Sequence, residues 1–233
     1  MAALEEKLLS QAPDRPWLWW RYIDDIFLIW HHGEEKLHRF IDFLNQAHPS
    51  IKFTADWSRE KINFLDVQVI REGDRLITDL FTKPTDTHQL LHRTSCHPGH
   101  TKKGIPYSQA LRIRRICSED RFFNERVGEL KGWLLNRGYG ENEVLEQFSK
   151  VRNRDRLSLL DGQPKNKDDK KIPLVLTYHP ALNKVYETLK ENSKLLLVDD
   201  EHKEVFQNKI FLSFRKAKSL KDELVRAKLP SVG

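Results

Sequence analysis

Two segments crowded with aromatic and β-branched residues, Trp17–Ile23 and Ile26–Trp30, stand on either side of an acid pair, Asp24-Asp25. Such residues fit a pleated, half-buried surface, and adjacent Asp residues suit a tight turn. The pattern therefore predicts a β-hairpin with carboxylates at its tip. The apolar run Ile26–Trp30 is five residues long, far short of the ~20 that a membrane span needs, so no membrane is expected as a partner.

The rest of the chain arranges itself around that hairpin. Residues 3–9 read as the end of a helix, broken by Pro13 and Pro16. From Glu34 to Gln46 the apolar positions Leu37, Phe40, Ile41 and Leu44 fall on one helix face, and this helix should end before Pro49. Strands are expected at Ile51–Trp57, Ile62–Ile70 and Arg75–Phe81, the last two joined by a turn at Glu72-Gly73-Asp74. Pro84 to Pro106 reads as loop. Helical spacing follows in Tyr107–Cys117, Phe122–Arg137 and Glu141–Val151, with short connectors between them. Asp161–Lys171 is polar and charged, and reads as a solvated linker rather than a nuclear signal. Beyond it, strands are expected at Ile172–Thr177 and Ile210–Phe214, with helices near Ala181–Asn192, Glu201–Gln207 and Leu220–Ala227. The fold class is α+β.

Charge is unevenly spread. Residues 1–100 hold 12 Lys+Arg and 15 Asp+Glu, a net of −3, so the remaining 28 and 19 give residues 101–233 a net of +9. An excess of that sign suits an anionic partner such as nucleic acid. Hydrophobic residues make up 39% of the chain, enough for a packed core and against pervasive disorder. The N-terminal residues show no basic leader followed by an apolar stretch, and the chain has only Cys96 and Cys117. Both observations favour a reducing compartment, nuclear or cytoplasmic, over a disulfide-built secreted protein.

Two adjacent carboxylates can hold divalent metal, and a pair of metals ~3.5–4 Å apart can stabilise the attacking and leaving oxygens of a displacement at phosphorus. Asp is also common in plain turns. The surrounding residues decide between these readings. Trp19-Trp-Arg-Tyr-Ile-Asp-Asp-Ile-Phe-Leu-Ile-Trp30 resembles the Tyr-X-Asp-Asp box of reverse transcriptases, in the form used by Penelope-like retroelements. Glu60–Val67, Thr82–His88, Ser95–His100 and Gly104–Ala110 resemble the same family, in the same order. The likeness covers residues 1–160 closely and the remainder more loosely.

The resemblance implies a partial palm of antiparallel hairpins and a helix over residues 1–85. A loop and helical thumb, also readable as a helix-turn-helix-like module, would occupy 86–160, with the linker at 161–171 and a small mixed unit at 172–233. It implies that Asp24 and Asp25 are catalytic and hold Mg2+, Asp24 being the more direct ligand, while Tyr22 lies near the primer end. The family's first catalytic aspartate, its fingers and its endonuclease domain have no counterpart in the sequence. The expectation is a polymerase fragment, inactive alone, that would need a separate upstream polymerase half as partner. The competing readings are a non-catalytic nucleic-acid-binding module and an inactive retroelement relic.

Arg112, Arg114, Arg115, Arg121, Arg126, Lys131 and Arg137 place many cations on two successive helices, where they could neutralise phosphates of an RNA/DNA hybrid or DNA duplex. A solvated face with ion pairs to Glu119, Glu125 and Glu129 is the plainer alternative. The thumb assignment favours duplex contact by Arg112, Arg114, Arg115, Arg121, Arg126 and Lys131. His92, Cys96, His97 and His100 offer zinc-binding atoms, but their spacing is not that of a finger. They are expected to form a metal-free loop at the base of the thumb.

Overall fold

The computed structural model describes residues 2–161, 172–192, 194, 195, 198, 210–215 and 224. The helix expected at 201–207, the linker from 162 to 171 and, apart from residue 224, the helix expected at 220–227 lie outside the described residues. The chain divides into two compact units, one formed by residues 1–87 and 113–127, the other by 88–112 and 128–233. No helix among the described residues is long and apolar enough to cross a membrane.

The first unit begins with helix α1 (Ala2–Gln11) and the hairpin of β1 (Leu18–Tyr22) and β2 (Asp25–Ile29). Strand alternation gives this hairpin two faces. Trp19 and Leu28, paired across the ladder, join Trp30 and Phe53 around a core of Leu8, Ala12, Phe40 and Leu44. Phe40 and Leu44 come from helix α2 (Glu34–Gln46), whose buried positions Leu37, Phe40 and Leu44 repeat at helical spacing. Its two first-turn acids, Glu34 and Glu35, complement the helix dipole. On the other hairpin face Trp20 and Phe27 are neighbours, and Phe27 meets Phe64 with ring centroids 5.6 Å apart.

The strand expected at Ile51–Trp57 is not formed. The helix takes its place as the pairing partner: the Asn45 side chain donates to the Phe53 carbonyl at 3.0 Å and accepts from the Phe53 amide at 2.6 Å. The single strand expected over Ile62–Ile70 is two strands, β3 (Lys61–Phe64) and β4 (Val67–Glu72), in antiparallel pairing. The chain reverses at Leu65-Asp66, with Leu65 in the left-handed region at φ 56°. A branched apolar residue rarely takes that conformation, so the sequence carried no turn signal there. Strand β5 (Arg75–Leu80) closes the three-stranded sheet as expected, through Gly73 at φ 63°.

Helix α3 (Gly99–Ile116) starts well before the expected Tyr107 and runs through Pro106. An internal proline costs a helix ~3 kcal/mol, but the Pro106 ring is fully buried, which offsets part of that cost. Helices α4 (Asp120–Asn136) and α5 (Glu141–Arg152) follow, within a residue or two of expectation. By residue membership α3 and α4 contribute to both units. A short helix α6 (Arg156–Leu160), capped by the Asp155 side chain on the Ser158 amide, was not foreseen.

In the first unit, β5 is tied to the α3–α4 connector. The Ser118 amide donates to the Thr78 carbonyl at 2.9 Å, and the Thr78 amide to Ser118 Oγ at 2.8 Å. In the second unit the 88–98 loop is tied to the α4–α5 connector. The Arg93 amide donates to the Arg137 carbonyl and Tyr139 Oη to the Leu91 carbonyl, while His88 stacks on Trp133 at 3.6 Å. Gly138 sits at φ 78°, and an added Cβ would lie 3.4 Å from the His92 ring. Leu130, Leu134, Val144, Phe148 and Val151 are buried in this unit. Its C-terminal part pairs β6 (Ile172–Thr177) in parallel with β7 (Ile210–Arg215), with helix α7 (Asn183–Asn192) between them in sequence. Tyr186 of α7 is buried, and its hydroxyl donates to the Thr177 carbonyl at 2.9 Å.

Candidate functional site

The acid pair sits where the hairpin reverses. Tyr22 pairs with Asp25, so Ile23 and Asp24 form a two-residue loop and Asp25 opens β2. Loops of this length favour Gly or Asn because they require positive φ. Here Ile23 takes φ 55°, a conformation that costs a β-branched residue about 1–3 kcal/mol. Tyr22 and Ile23 are 57% and 70% exposed, and both acids face solvent.

Two contacts brace the strained turn. Arg21 donates through Nη1 to the Ile23 carbonyl at 2.9 Å and through Nε to Glu5 Oε1 of α1 at 2.6 Å. Trp19 Nε1 reaches the same Glu5 oxygen at 3.4 Å. Neither Arg21 nor Glu5 was singled out from sequence, because nothing in their spacing brings residues 5 and 21 together.

Asp24 and Asp25 line an open groove of about 630 Å³ within the first unit, shared with Phe27, Trp57, Lys61, Phe64 and Arg71. Magnesium is commonly held by one or two carboxylates together with phosphate oxygens and water. Two neighbouring carboxylates supply part of such a set. Among the described residues, no group of three or more His, Cys, Asp or Glu is placed to hold a metal ion. Among the described residues, Asp24 and Asp25 thus supply one side of such a set.

The basic residues of α3 and α4 differ in how they are held. Arg112 and Arg115 are exposed on α3. Arg114 bonds Asp120 and lies over the Phe123 ring. Arg121 bonds Glu72 at 2.8 Å, which holds the Glu72 carboxyl below its ordinary range and raises the guanidinium. Lys131 bonds Glu141 at 2.6 Å and lowers that carboxyl in the same way. Arg137 bonds the Gln89 side chain.

Arg126 turns inward. Its Nη2 lies 2.7 Å from Asp79 Oδ2 and its Nε 3.2 Å from Oδ1. Asp79 is only 3% exposed and also accepts from the Leu80 amide at 2.7 Å. Cys117 Sγ lies 3.5 Å from Asp79 Oδ1, and burial pushes its thiol up to about 12. Asp79 escaped notice in the sequence because a lone acid in a strand reads as a surface residue.

The Cys/His loop is held by its own short-range contacts. His92 Nδ1 lies 2.9 Å from Thr94 Oγ1, and His97 Nδ1 lies 3.3 Å from Ser95 Oγ. The His100 ring faces Phe214 at 6.1 Å, and Cys96 is exposed.

Charge along the three helices is unequal. Helix α3 carries Lys102, Lys103, Arg112, Arg114 and Arg115 and no acid, whereas α4 is balanced. Helix α5 opens with Glu141 and Glu143, the latter bonded to Arg93. No curated protein and no solved structure matches the chain. Residues 89–149, which contain α3, α4 and most of α5, match the family model of the animal helix-turn-helix domain.

Proposed function

We propose that the 89–149 region holds nucleic acid through α3, and that the chain is part of an RNA-directed DNA polymerase of the Penelope-like kind. The observation that carries the first statement is the helix-turn-helix match over a helix with five cations and no acid. Phosphates attract such a helix at long range, and arginine forks suit phosphate oxygens. The acidic first turn of α5 argues against insertion of that end into a groove, where phosphates flank it on both sides. Contact is therefore with the backbone of an RNA/DNA hybrid or DNA duplex rather than with base edges.

The polymerase statement rests on the resemblance of the Tyr22-Ile23-Asp24-Asp25 turn and its flanking segments. Residues 1–85 are then a partial palm and 86–160 the thumb. The chemistry that the resemblance implies is attack of a primer 3′ hydroxyl on a deoxynucleotide with Mg2+ as cofactor. Asp24 and Asp25 supply one side of that site, and an upstream polymerase half is the partner that completes it.

Fluorescence anisotropy against duplexes at several salt concentrations tests the binding proposal. Each phosphate neutralised on B-DNA contributes about −0.9 to the slope of log affinity against log salt. Changing Arg112 and Arg115 to Ala should flatten that slope by nearly two units while affinities for unrelated sequences stay alike. An unchanged slope refutes the α3 assignment.

A further inference from the structure

We propose that Arg21 is a positioning residue: it clamps the Ile23 carbonyl to Glu5 of α1 and so presents Asp24 and Asp25 in one fixed arrangement. The proposal rests on reading the Asp24-Asp25 turn as a functional corner, and it adds the device that holds that corner. Three observations carry it. The loop is only two residues long, and its first residue is a β-branched isoleucine at φ 55°. Residues in sparsely populated backbone regions persist only where their surroundings hold them. The Arg21 guanidinium supplies the hold, using separate N–H groups on the Ile23 carbonyl at 2.9 Å and the Glu5 carboxylate at 2.6 Å.

The chemistry of the side chain suits this task. A planar fork fixes two acceptors relative to one another, which a lysine ammonium on its flexible stem does not do. The anchor is itself fixed. Glu5 is 13% and Arg21 25% exposed as side chains, and Trp19 Nε1 shares the Glu5 oxygen. Neighbouring turns of α1 place Leu4, Leu8 and Leu9 in or against the apolar core, so the helix cannot slide without disturbing it. A surface ion pair between flexible side chains would contribute little. This one ends on a backbone carbonyl in the turn, and therefore transmits the position of α1 to the residue preceding Asp24.

Nuclear magnetic resonance of the labelled full chain tests the clamp. At positive φ the amide proton and Hα of one residue lie unusually close, so Ile23 should give a strong intraresidue cross-peak. Arg21→Gln should weaken it and broaden or double the Ile23, Asp24 and Asp25 amide signals, while the Trp20 and Phe27 amides, which face one another in the ladder two residues from the turn, stay protected. Glu5→Gln should do the same to a smaller extent, and Arg21→Lys should not restore the native signals. Adding Ile23→Asn to Arg21→Gln should return a single set of peaks, because asparagine tolerates the left-handed region. A strong Ile23 cross-peak and single signals in Arg21→Gln overturn the proposal. If that variant loses the hairpin altogether, Glu5→Gln decides, and unchanged Ile23 signals there overturn it. These outcomes are independent of polymerase assays. A turn that unlocks in a protein no partner can activate sinks the polymerase reading and leaves the clamp standing.

Discussion

Replacing Arg126 with Met is expected to destabilise the protein more than replacing its partner Asp79 with Asn. The asymmetry follows from burial. Asp79 is 3% exposed, whereas the Arg126 side chain is 23% exposed and lies 3.4 Å from Glu125 as well. Removing the guanidinium strands a carboxylate among apolar groups, and breaking a buried pair in this way costs about 3–5 kcal/mol. Removing the negative charge leaves Arg126 with water and Glu125 to turn to. The loss is then nearer to one charged hydrogen bond, about 1.5–3 kcal/mol. The side-chain carbonyl that Asp79→Asn retains would still accept from the Leu80 amide, so the double variant should lose less than the two singles together, with a coupling of about 0.5–3 kcal/mol. Urea denaturation followed by circular dichroism measures all four proteins. Equal costs for the two single changes, or strict additivity, would refute the claim that a buried ion pair holds β5 against α4.

The Cys117 thiol, raised by burial from 9.0 to about 12, should resist thiol reagents at pH 8 while exposed Cys96 reacts, giving one fast thiol per folded chain and two after unfolding. A group whose folded pKa is raised contributes stability that is whole below the unfolded value and is lost as pH climbs through the folded one. Stability should therefore fall between about pH 9 and 12, and Cys117→Ala should flatten that fall. The chain by itself should not extend a primed RNA template with magnesium or manganese; extension that disappears in Asp24→Asn would make it a polymerase in its own right. Protein purified without added metal should contain no stoichiometric zinc by elemental analysis, and one zinc per chain lost in Cys96→Ser would contradict this.

What could be read from the sequence was whatever repeats with a period. The helix Glu34–Gln46 shows Leu37, Phe40 and Leu44 at helical spacing, and it appears with those boundaries. The β1–β2 hairpin was legible for the same reason, through its apolar segments and acid tip. Features set by one residue against its ordinary preference were not legible. Leu65 at φ 56° divides an expected strand, and Pro106 sits within a helix it was expected to precede. The same holds for the site. Asp24, Asp25 and Tyr22 announce themselves by motif, but Arg21 and Glu5 meet only because the fold brings the α1 helix to the hairpin. Charge density drew attention to Arg126, yet density alone does not tell a cation facing solvent from one facing a buried aspartate.

Asn45 replaces a β-strand with a single side chain, offering Phe53 both a donor and an acceptor. That arrangement makes position 45 chemically narrow. Aspartate has the right shape but would set an oxygen against the Phe53 carbonyl, and glutamine places the amide one bond too far out. Spontaneous deamidation of Asn45 would therefore act like a point mutation, releasing the 51–57 segment from α2 although no residue in the gene had changed. In a survey of all substitutions, tolerance should drop sharply at this one polar site while neighbouring exposed positions of α2 accept almost anything. The ageing of a stored sample would then be readable as a gain of about one atomic mass unit at residue 45.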